Sequence, residues 1–287
     1  MLLAFEQVDY TYPSSAQPAI QNLTLRIPAG KRCALLGQNG CGKTTLFLLA
    51  NGLYKPQKGA VQWQGSSLRY DRASLMALRQ KVGLVFQDPE QQLVASTVEE
   101  DLSYGLCNLG LPEAEVRQRV GEAIVNFNLS DLAERPVHHL SLGQKKRVSL
   151  ADVMVLQPEL LLLDEPTAYL DQLQTRDLMA KLHQIQAMGT TIVLGTHDLD
   201  LAYCWADWIF ILNKGQLVLE GTPQDVFAQR ETLEKLHLGV PLIFDVLDKV
   251  TEALFQDLKG AQDPCQLWIS EPLRNRILNR LRYGRVY

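Results

Sequence analysis

The chain has 287 residues, 46% of them apolar, and carries 28 Lys plus Arg against 32 Asp plus Glu for a formal net charge of −4. That length suits one large or two modest domains with a well-filled core, and the slight acidity argues against a generally nucleic-acid-binding surface. No apolar run reaches the roughly 18 residues of a membrane-spanning helix, the start Met1-Leu2-Leu3-Ala4-Phe5-Glu6 lacks the parts of a signal peptide, and the five cysteines form no C-x-x-C pair, so reduced thiols and retention in the cytoplasm are expected.

In chain order, Leu2 to Val8 and Leu23 to Ile27 read as short strands, with turns at Pro13-Ser14-Ser15 and Pro28-Ala29-Gly30. Cys33-Ala34-Leu35-Leu36 is a continuous apolar run and predicts a buried parallel strand. It leads into Gly37-Gln38-Asn39-Gly40-Cys41-Gly42-Lys43-Thr44-Thr45, a P-loop, followed by a predicted helix from Thr45 to Ala50. Glycines 37, 40 and 42 let the backbone adopt positive φ and turn successive N–H groups toward phosphate oxygens, and the helix adds its positive N-terminal end. Lys43 supplies a point charge for the β and γ phosphates, and the Thr44 hydroxyl can ligate the bridging Mg²⁺. The loop therefore predicts nucleoside triphosphate binding.

Beyond it, Ala60 to Trp63 reads as a strand, and Val82 to Phe86 as another that ends at Gln87. Residues from about 90 to 157 have helical character and predict a helical insertion. Within it Thr97 and Glu100 form a capping pair, Glu113 to Phe127 places 116, 120, 124 and 127 on one apolar face, and Ser141 is a helix cap. Leu160-Leu161-Leu162-Leu163 predicts a strand ending in Asp164 and Glu165, of which Asp164 can hold the Mg²⁺ shell and Glu165 can polarise a water. Strands at Thr191 to Leu194 and Trp208 to Leu212 alternate with a helix over 172 to 188, predicting a parallel sheet with ligands at the strand C-termini. After Gly221-Thr222-Pro223 the pattern changes, and a small, mainly helical C-terminal domain is expected over about 236 to 287. Its apolar faces are 243, 246, 247, 250 and 254, then Leu273, Ile277 and Leu281. Arginines 274, 276, 280, 282 and 285 fit a solvated helix face first, a dimer contact second and a membrane surface third. The histidines are scattered, and no His/Cys/carboxylate group has the spacing of a dedicated transition-metal site.

Leu140-Ser141-Leu142-Gly143-Gln144-Lys145-Lys146-Arg147 resembles the signature motif of ATP-binding-cassette (ABC) ATPases, with Leu142 in place of the usual first glycine. With the P-loop and the paired acids, the resemblance covers about 1 to 228. It implies that Ser141, Gly143 and Gln144 contact the nucleotide held by a second cassette, that Gln87 senses γ-phosphate and Mg²⁺, and that His197, in Gly195-Thr196-His197-Asp198, contacts the γ-phosphate. Leu170-Asp171 matches the D-loop, with Ala168-Tyr169 a departure before it, and Tyr12 matches the aromatic that stacks on adenine. Lys145, Lys146 and Arg147 are expected to be a mixture of charge support and solvated surface. Gln87-Asp88-Pro89-Glu90-Gln91-Gln92-Leu93, Thr97-Val98-Glu99-Glu100-Asp101, Asn108-Leu109-Gly110-Leu111-Pro112 and Gly143-Gln144-Lys145-Lys146-Arg147-Val148 together narrow the likeness to the ATPase subunit of energy-coupling-factor importers. Gly40-Cys41-Gly42-Lys43 and Pro56-Gln57-Lys58-Gly59-Ala60 are most similar to the cobalt and nickel uptake branch.

The resemblance implies an α/β cassette over 1 to 235, with a mixed sheet core, an N-terminal antiparallel β part and the helical subdomain at 90 to 157, followed by the extension at 236 to 287. It implies an ATPase using ATP and Mg²⁺, peripheral at the cytoplasmic face of the cell membrane. The partners implied are a transmembrane coupling protein, a substrate-binding membrane subunit and a second cassette, either another copy or a related chain, with no nucleic acid. The coupling partner is expected beside Gln87, at Asp88, Glu90, Glu99, Glu100 and Asp101. Vitamin import by the same machinery, an exporter subunit, and a soluble cassette ATPase of translation or DNA repair are the alternatives; against the last, the chain has one P-loop and only 44 positions separate Lys43 from Gln87.

Overall fold

Strand β1 (Leu3–Tyr10) pairs antiparallel with β2 (Ile20–Ile27) in the computed structural model, which describes residues 1–246. Strand β3 (Arg32–Leu36) and helix α1 (Lys43–Ala50) come next, before β4 (Lys58–Trp63) and β5 (Ser66–Ser67). The first small sheet has the order β2-β1-β4-β5. Its alternation is visible in β2, where Ile20, Leu23, Leu25 and Ile27 are buried and Gln21, Thr24 and Arg26 face outward. Helix α2 (Arg72–Lys81) leads to β6 (Val82–Val85). The predicted insertion is a layer of α3 (Val98–Asn108), α4 (Glu113–Asn126) and α5 (Leu142–Met154). Strand β7 (Leu160–Asp164), helix α6 (Gln172–Ala187), strand β8 (Thr191–Thr196) and helix α7 (Leu199–Trp205) follow. The described chain closes with β9 (Trp208–Asn213), β10 (Gln216–Gly221) and the short helices α8 (Pro223–Phe227) and α9 (Arg230–Lys235).

The second sheet runs β10-β9-β3-β8-β7-β6, parallel throughout except for β10 against β9. Every residue of β3, β6, β7 and β8 is buried, as expected of strands covered on both faces. Alternate side chains divide between two cores. Ala34, Leu36, Leu161, Leu163, Ile192 and Leu194 join the core under the helical layer. Cys33, Leu35, Leu160, Leu162 and Val193 join the core shared with α1 and the antiparallel sheet. The register sets Leu36 beside Thr196, Asp164 beside Gly195 and Val85 beside Leu163, so four strands end together. Gly37, Gln87, Glu165 and His197 all follow those ends.

Several helix starts are fixed by side chains. The expected pair at Thr97 and Glu100 is a reciprocal capping box, and acids Asp171 and Asp198 accept first-turn N–H groups of α6 and α7. Residues beyond α9 fold back: Phe244 is buried, edge-on to Tyr203 with ring centroids 5.4 Å apart, and Asp245 pairs with Arg230 at 2.9 Å. Of the first expected C-terminal face, Ile243 packs on the core and Val246 is exposed; 247, 250, 254, the second face and the arginines lie outside the described residues.

At the other end of the sheet, Arg32 on β3 pairs with Asp207 just before β9. The guanidinium Nη2 is 2.7 Å from Oδ1 and Nε donates to Oδ2 at 3.1 Å. Asp207→Ala is expected to cost about 3 kcal/mol, the lower end for a broken buried pair because Asp207 keeps some exposure; the midpoint of urea unfolding reads it. Burial alone would raise the Asp207 carboxyl, but hydrogen bonds and charge from Arg32 hold it below its ordinary value. A depressed carboxyl stabilises the fold above its unfolded-state pKa and loses that contribution as pH falls, so the difference from the parent is full at pH 7 and shrinks below about pH 4.

Candidate functional site

Between β3 and α1 the loop has φ values of +155° at Gly37, +79° at Gly40 and +112° at Gly42. A Cβ at Gly37 would stand 2.4 Å from the Leu212 carbonyl oxygen and 2.5 Å from the Cys41 sulfur, so only glycine fits there. Gly42 is the N-cap of α1 and offers no side chain to the first-turn N–H groups, which leaves that helix end suited to an anion. Cys41 is buried, and burial raises its thiol pKa, which makes it a packing residue rather than a reactive thiolate. Gln38, Asn39 and Gly40 are exposed at the loop tip, where the Gln38 amide donates to the carbonyls of Leu236 and His237 at 3.3 Å each.

Lys43 opens α1, is 6% exposed, and donates from Nζ to the Gly37 carbonyl at 2.9 Å. Its Nζ is also 3.5 Å from Glu165 Oε1. Thr44 Oγ1 donates to Asp164 Oδ2 at 2.5 Å. Thr45 Oγ1 lies 2.9 Å from the Tyr12 hydroxyl, and the Tyr12 ring stands edge-on to Tyr10 and Tyr54. Tyr12 is thus placed against the helix that follows the P-loop.

The two acids at the end of β7 are buried in different company. Burial raises the Asp164 carboxyl, the Thr44 hydrogen bond and Lys43 oppose that, and Glu165 adds to it. Glu165 takes a left-handed backbone with φ +44°, its N–H donates to the Gly195 carbonyl at 2.8 Å, and Oε2 is 3.0 Å from His197 Nδ1. Its Oε1 accepts no hydrogen bond among the described residues. His197 itself is largely exposed. One edge of the sheet therefore combines an ammonium, a hydroxyl, two carboxylates and an imidazole at the carboxyl ends of three adjacent parallel strands. Gln87 lies exposed beyond the fourth, β6.

Ser141 and Gln144 begin α5, and their hydrogen bonds close on each other. The Ser141 hydroxyl accepts from the Gln144 N–H at 3.3 Å, and the Gln144 amide oxygen accepts from the Ser141 N–H at 2.9 Å. At Gly143 a Cβ would come within 2.9 Å of the Gln174 side chain. These three residues sit on the helical layer rather than at the strand ends. Tyr169, before the expected D-loop, is 82% exposed at φ +63°, and Asp171 caps α6.

Two expectations need correction. Lys146 is not solvated: it is 6% exposed, and its Nζ donates to the carbonyls of Glu165 at 3.4 Å, Pro166 at 3.0 Å and Ala168 at 2.7 Å. Burial pulls its ammonium down to about 8, against the opposing charges of Glu165 and Asp88. The signal was its helix position, four and seven residues before the buried Leu150 and Val153. Of its neighbours, Arg147 is exposed and donates to the Asn128 carbonyl, while Lys145 is half-buried and pairs with Glu90 at 2.6 Å. Asp101, expected on an exposed acidic surface, is 2% exposed and accepts the N–H groups of Val94 and Ala95 at 2.8 Å each. Asp88, Glu90, Glu99 and Glu100 remain at the surface.

Residues 20–168 match the family model described as ABC transporter. A protein of Nostoc sp. that carries the name of an ABC transporter ATP-binding protein is 68% identical over 88% of this chain and 92% of its own length. The energy-coupling factor transporter ATP-binding protein EcfA of Methanocaldococcus jannaschii is 41% identical over 83% of this chain and 85% of its own. Among solved structures, cbiO1 from Clostridium perfringens, described as part of the ABC transporter complex cbiONQ, aligns with TM-score 0.73 at 39% identity, covering 86% of this chain and 98% of that one.

Proposed function

Because the chain belongs to the ABC transporter family of ATP-binding proteins, we propose that it is the ATPase subunit of an energy-coupling-factor importer for a transition-metal ion, cobalt or nickel. Its reaction is hydrolysis of ATP to ADP and phosphate, coupled to transport. The observation that carries the site assignment is the convergence of Lys43, Thr44, Asp164, Glu165 and His197 at one set of strand ends.

The loop from Gly37 to Thr45, with Gln38, Asn39, Gly40, Cys41 and Gly42 between, binds the triphosphate, and Lys43 carries its charge partner. Thr44 and Asp164 are two hard oxygen donors already within hydrogen-bond distance, a pair suited to Mg²⁺, with Gln87 completing the set. When bound, the ion neutralises charge on the phosphate oxygens. Glu165 orients a water and takes its proton as the water oxygen bonds to the γ-phosphorus and the bridge to the β-phosphate breaks; His197 holds the γ-phosphate side of that arrangement. Tyr12 carries the adenine. Ser141, Gly143 and Gln144 act across a cassette dimer on the nucleotide of the partner, and a second copy of this chain is the partner proposed. ATP then closes the dimer; a shift from mostly open to mostly closed needs about 5.5 kcal/mol of differential binding. Tyr12→Ala is expected to weaken ATP about tenfold, one aromatic stack's worth, while Tyr12→Phe stays within twofold; equilibrium titration reads both.

Among the described residues no helix is long and apolar enough to cross a membrane, so transport work leaves through a surface. The surface beside Gln87 with Asp88, Glu99 and Glu100 fits a membrane partner with basic docking helices at the cytoplasmic face. The metal reading rests on Gly40-Cys41-Gly42-Lys43 and Pro56-Gln57-Lys58-Gly59-Ala60 together with the likeness to cbiO1; vitamin import is the second reading. Tagging the protein in its native cell, extracting gently and reconstituting what co-purifies into vesicles tests both. A coupling protein, a small membrane subunit and ATP-dependent accumulation of cobalt or nickel are expected. Accumulation of a vitamin instead selects the second reading, and recovery with ribosomes, DNA or no membrane protein overturns transport.

A further inference from the structure

Lys146 is buried without a carboxylate in ion-pairing distance among the described residues; its hydrogen bonds go to three backbone carbonyls of one turn. An ammonium is costly to bury, and Leu150 and Val153, one and two turns further along the same helix face, are apolar. A purely packing role would be filled by such a residue. What the ammonium does is hold the turn between β7 and α6 at Glu165, Pro166 and Ala168.

That turn is strained at both ends, since Glu165 has φ +44° and Tyr169 φ +63°, conformations non-glycine residues keep only where their surroundings enforce them. The Glu165 backbone is gripped from two sides. Its N–H donates to the Gly195 carbonyl of β8, and its carbonyl accepts from Lys146 of α5. The direction in which the carboxylate leaves the strand depends on that grip, and from there the carboxylate reaches His197 and approaches Lys43.

We propose that Lys146 is a positioning residue for hydrolysis: it fixes the backbone from which Glu165 reaches the water, and it ties the helix begun by Ser141 and Gly143 to this chain's own catalytic carboxylate. The inference rests on the role given to Glu165 above. It follows that an event at the N-terminus of α5, where the partner's nucleotide is expected, is felt within one helix at Glu165 of the same chain.

The test compares Lys146→Met, Lys146→Arg and Glu165→Gln with the parent for kcat, KM, ATP affinity and melting temperature. Displacing a catalytic group by about an ångström costs on the order of 100-fold, so Lys146→Met should lower kcat about 30-fold or more with KM and ATP affinity within twofold. Lys146→Arg, which keeps donors for the carbonyls, should recover part of it. In the Glu165→Gln background, Lys146→Met should not lower the residual turnover further. A kcat within threefold of the parent in folded Lys146→Met overturns the proposal, as does an undiminished effect in the Glu165→Gln background or a KM rising in step with the fall in kcat. Should Lys146→Met not fold, Lys146→Gln, with a shorter donor reaching fewer carbonyls, is held to the same criteria. Parent-like turnover in Glu165→Gln would overturn the role of Glu165 itself, and is thereby distinguished from a failure at Lys146 alone.

Discussion

Glu165→Gln is expected to lower ATP turnover by about 100-fold or more, the range for loss of a positioned general base, while ATP-driven dimers become long-lived. The substitution keeps shape, so the buried site at the end of β7 is not emptied. It removes one negative charge 3.5 Å from Lys43 Nζ and beside His197. That carboxylate competes with the triphosphate for Lys43, so ATP affinity should hold or improve even as chemistry stops. Single-turnover hydrolysis and gel filtration with Mg-ATP separate the two effects. Turnover equal to the parent's would remove Glu165 from the mechanism; loss of both turnover and ATP binding would show that the carboxylate supports the site rather than the water.

Much of this arrangement was legible because a parallel sheet covered on both faces needs apolar strands, and Cys33 to Leu36, Leu160 to Leu163 and Thr191 to Leu194 have almost nothing else. Once those strands are placed, the residues that follow them must share one edge, and the grouping of Lys43, Asp164, Glu165 and His197 follows from topology. The pairs that escaped depend on distance along the chain. Nothing local announces that Arg32 will meet Asp207, or that Gln38 will reach the carbonyls of Leu236 and His237. Lys146 and Asp101 escaped for another reason: a charged residue type points to solvent while their helix positions point to the core. Lys146 shares a face with Leu150 and Val153, and Asp101 stands three residues after the buried Val98 and next to the buried Leu102. In both cases the partners are backbone groups: three carbonyls accept from Lys146, and two N–H groups donate to Oδ1 of Asp101, whose Oδ2 has no hydrogen-bond partner among the described residues. Composition does not encode which loop will supply those partners.

Lys43→Ala is the second large effect expected, and it falls on binding instead of chemistry. A charge-assisted hydrogen bond contributes about 1.5–3 kcal/mol, and every 1.4 kcal/mol is tenfold in affinity. Two such bonds to the β and γ phosphates would give roughly 100-fold or more. The ammonium does not come to ATP unengaged, however, since it already donates to the Gly37 carbonyl at 2.9 Å and stands near Glu165. Binding exchanges those partners for phosphate oxygens, so the net loss on truncation should sit near 100-fold and not at the multiple of both bonds' upper values. The same truncation leaves the buried Glu165 without its nearby ammonium and the Gly37 carbonyl without this donor. A stability loss of about 1–3 kcal/mol should accompany it. Lys43→Met keeps the stem and its packing, so the two variants together divide the binding term from the packing term. Equilibrium titration with ATP, run beside thermal unfolding of the same samples, reads each separately. An ATP affinity within threefold of the parent in both variants would mean that the loop's N–H groups and the end of α1 hold the phosphates without the lysine, and that Lys43 serves instead to keep Glu165 in place.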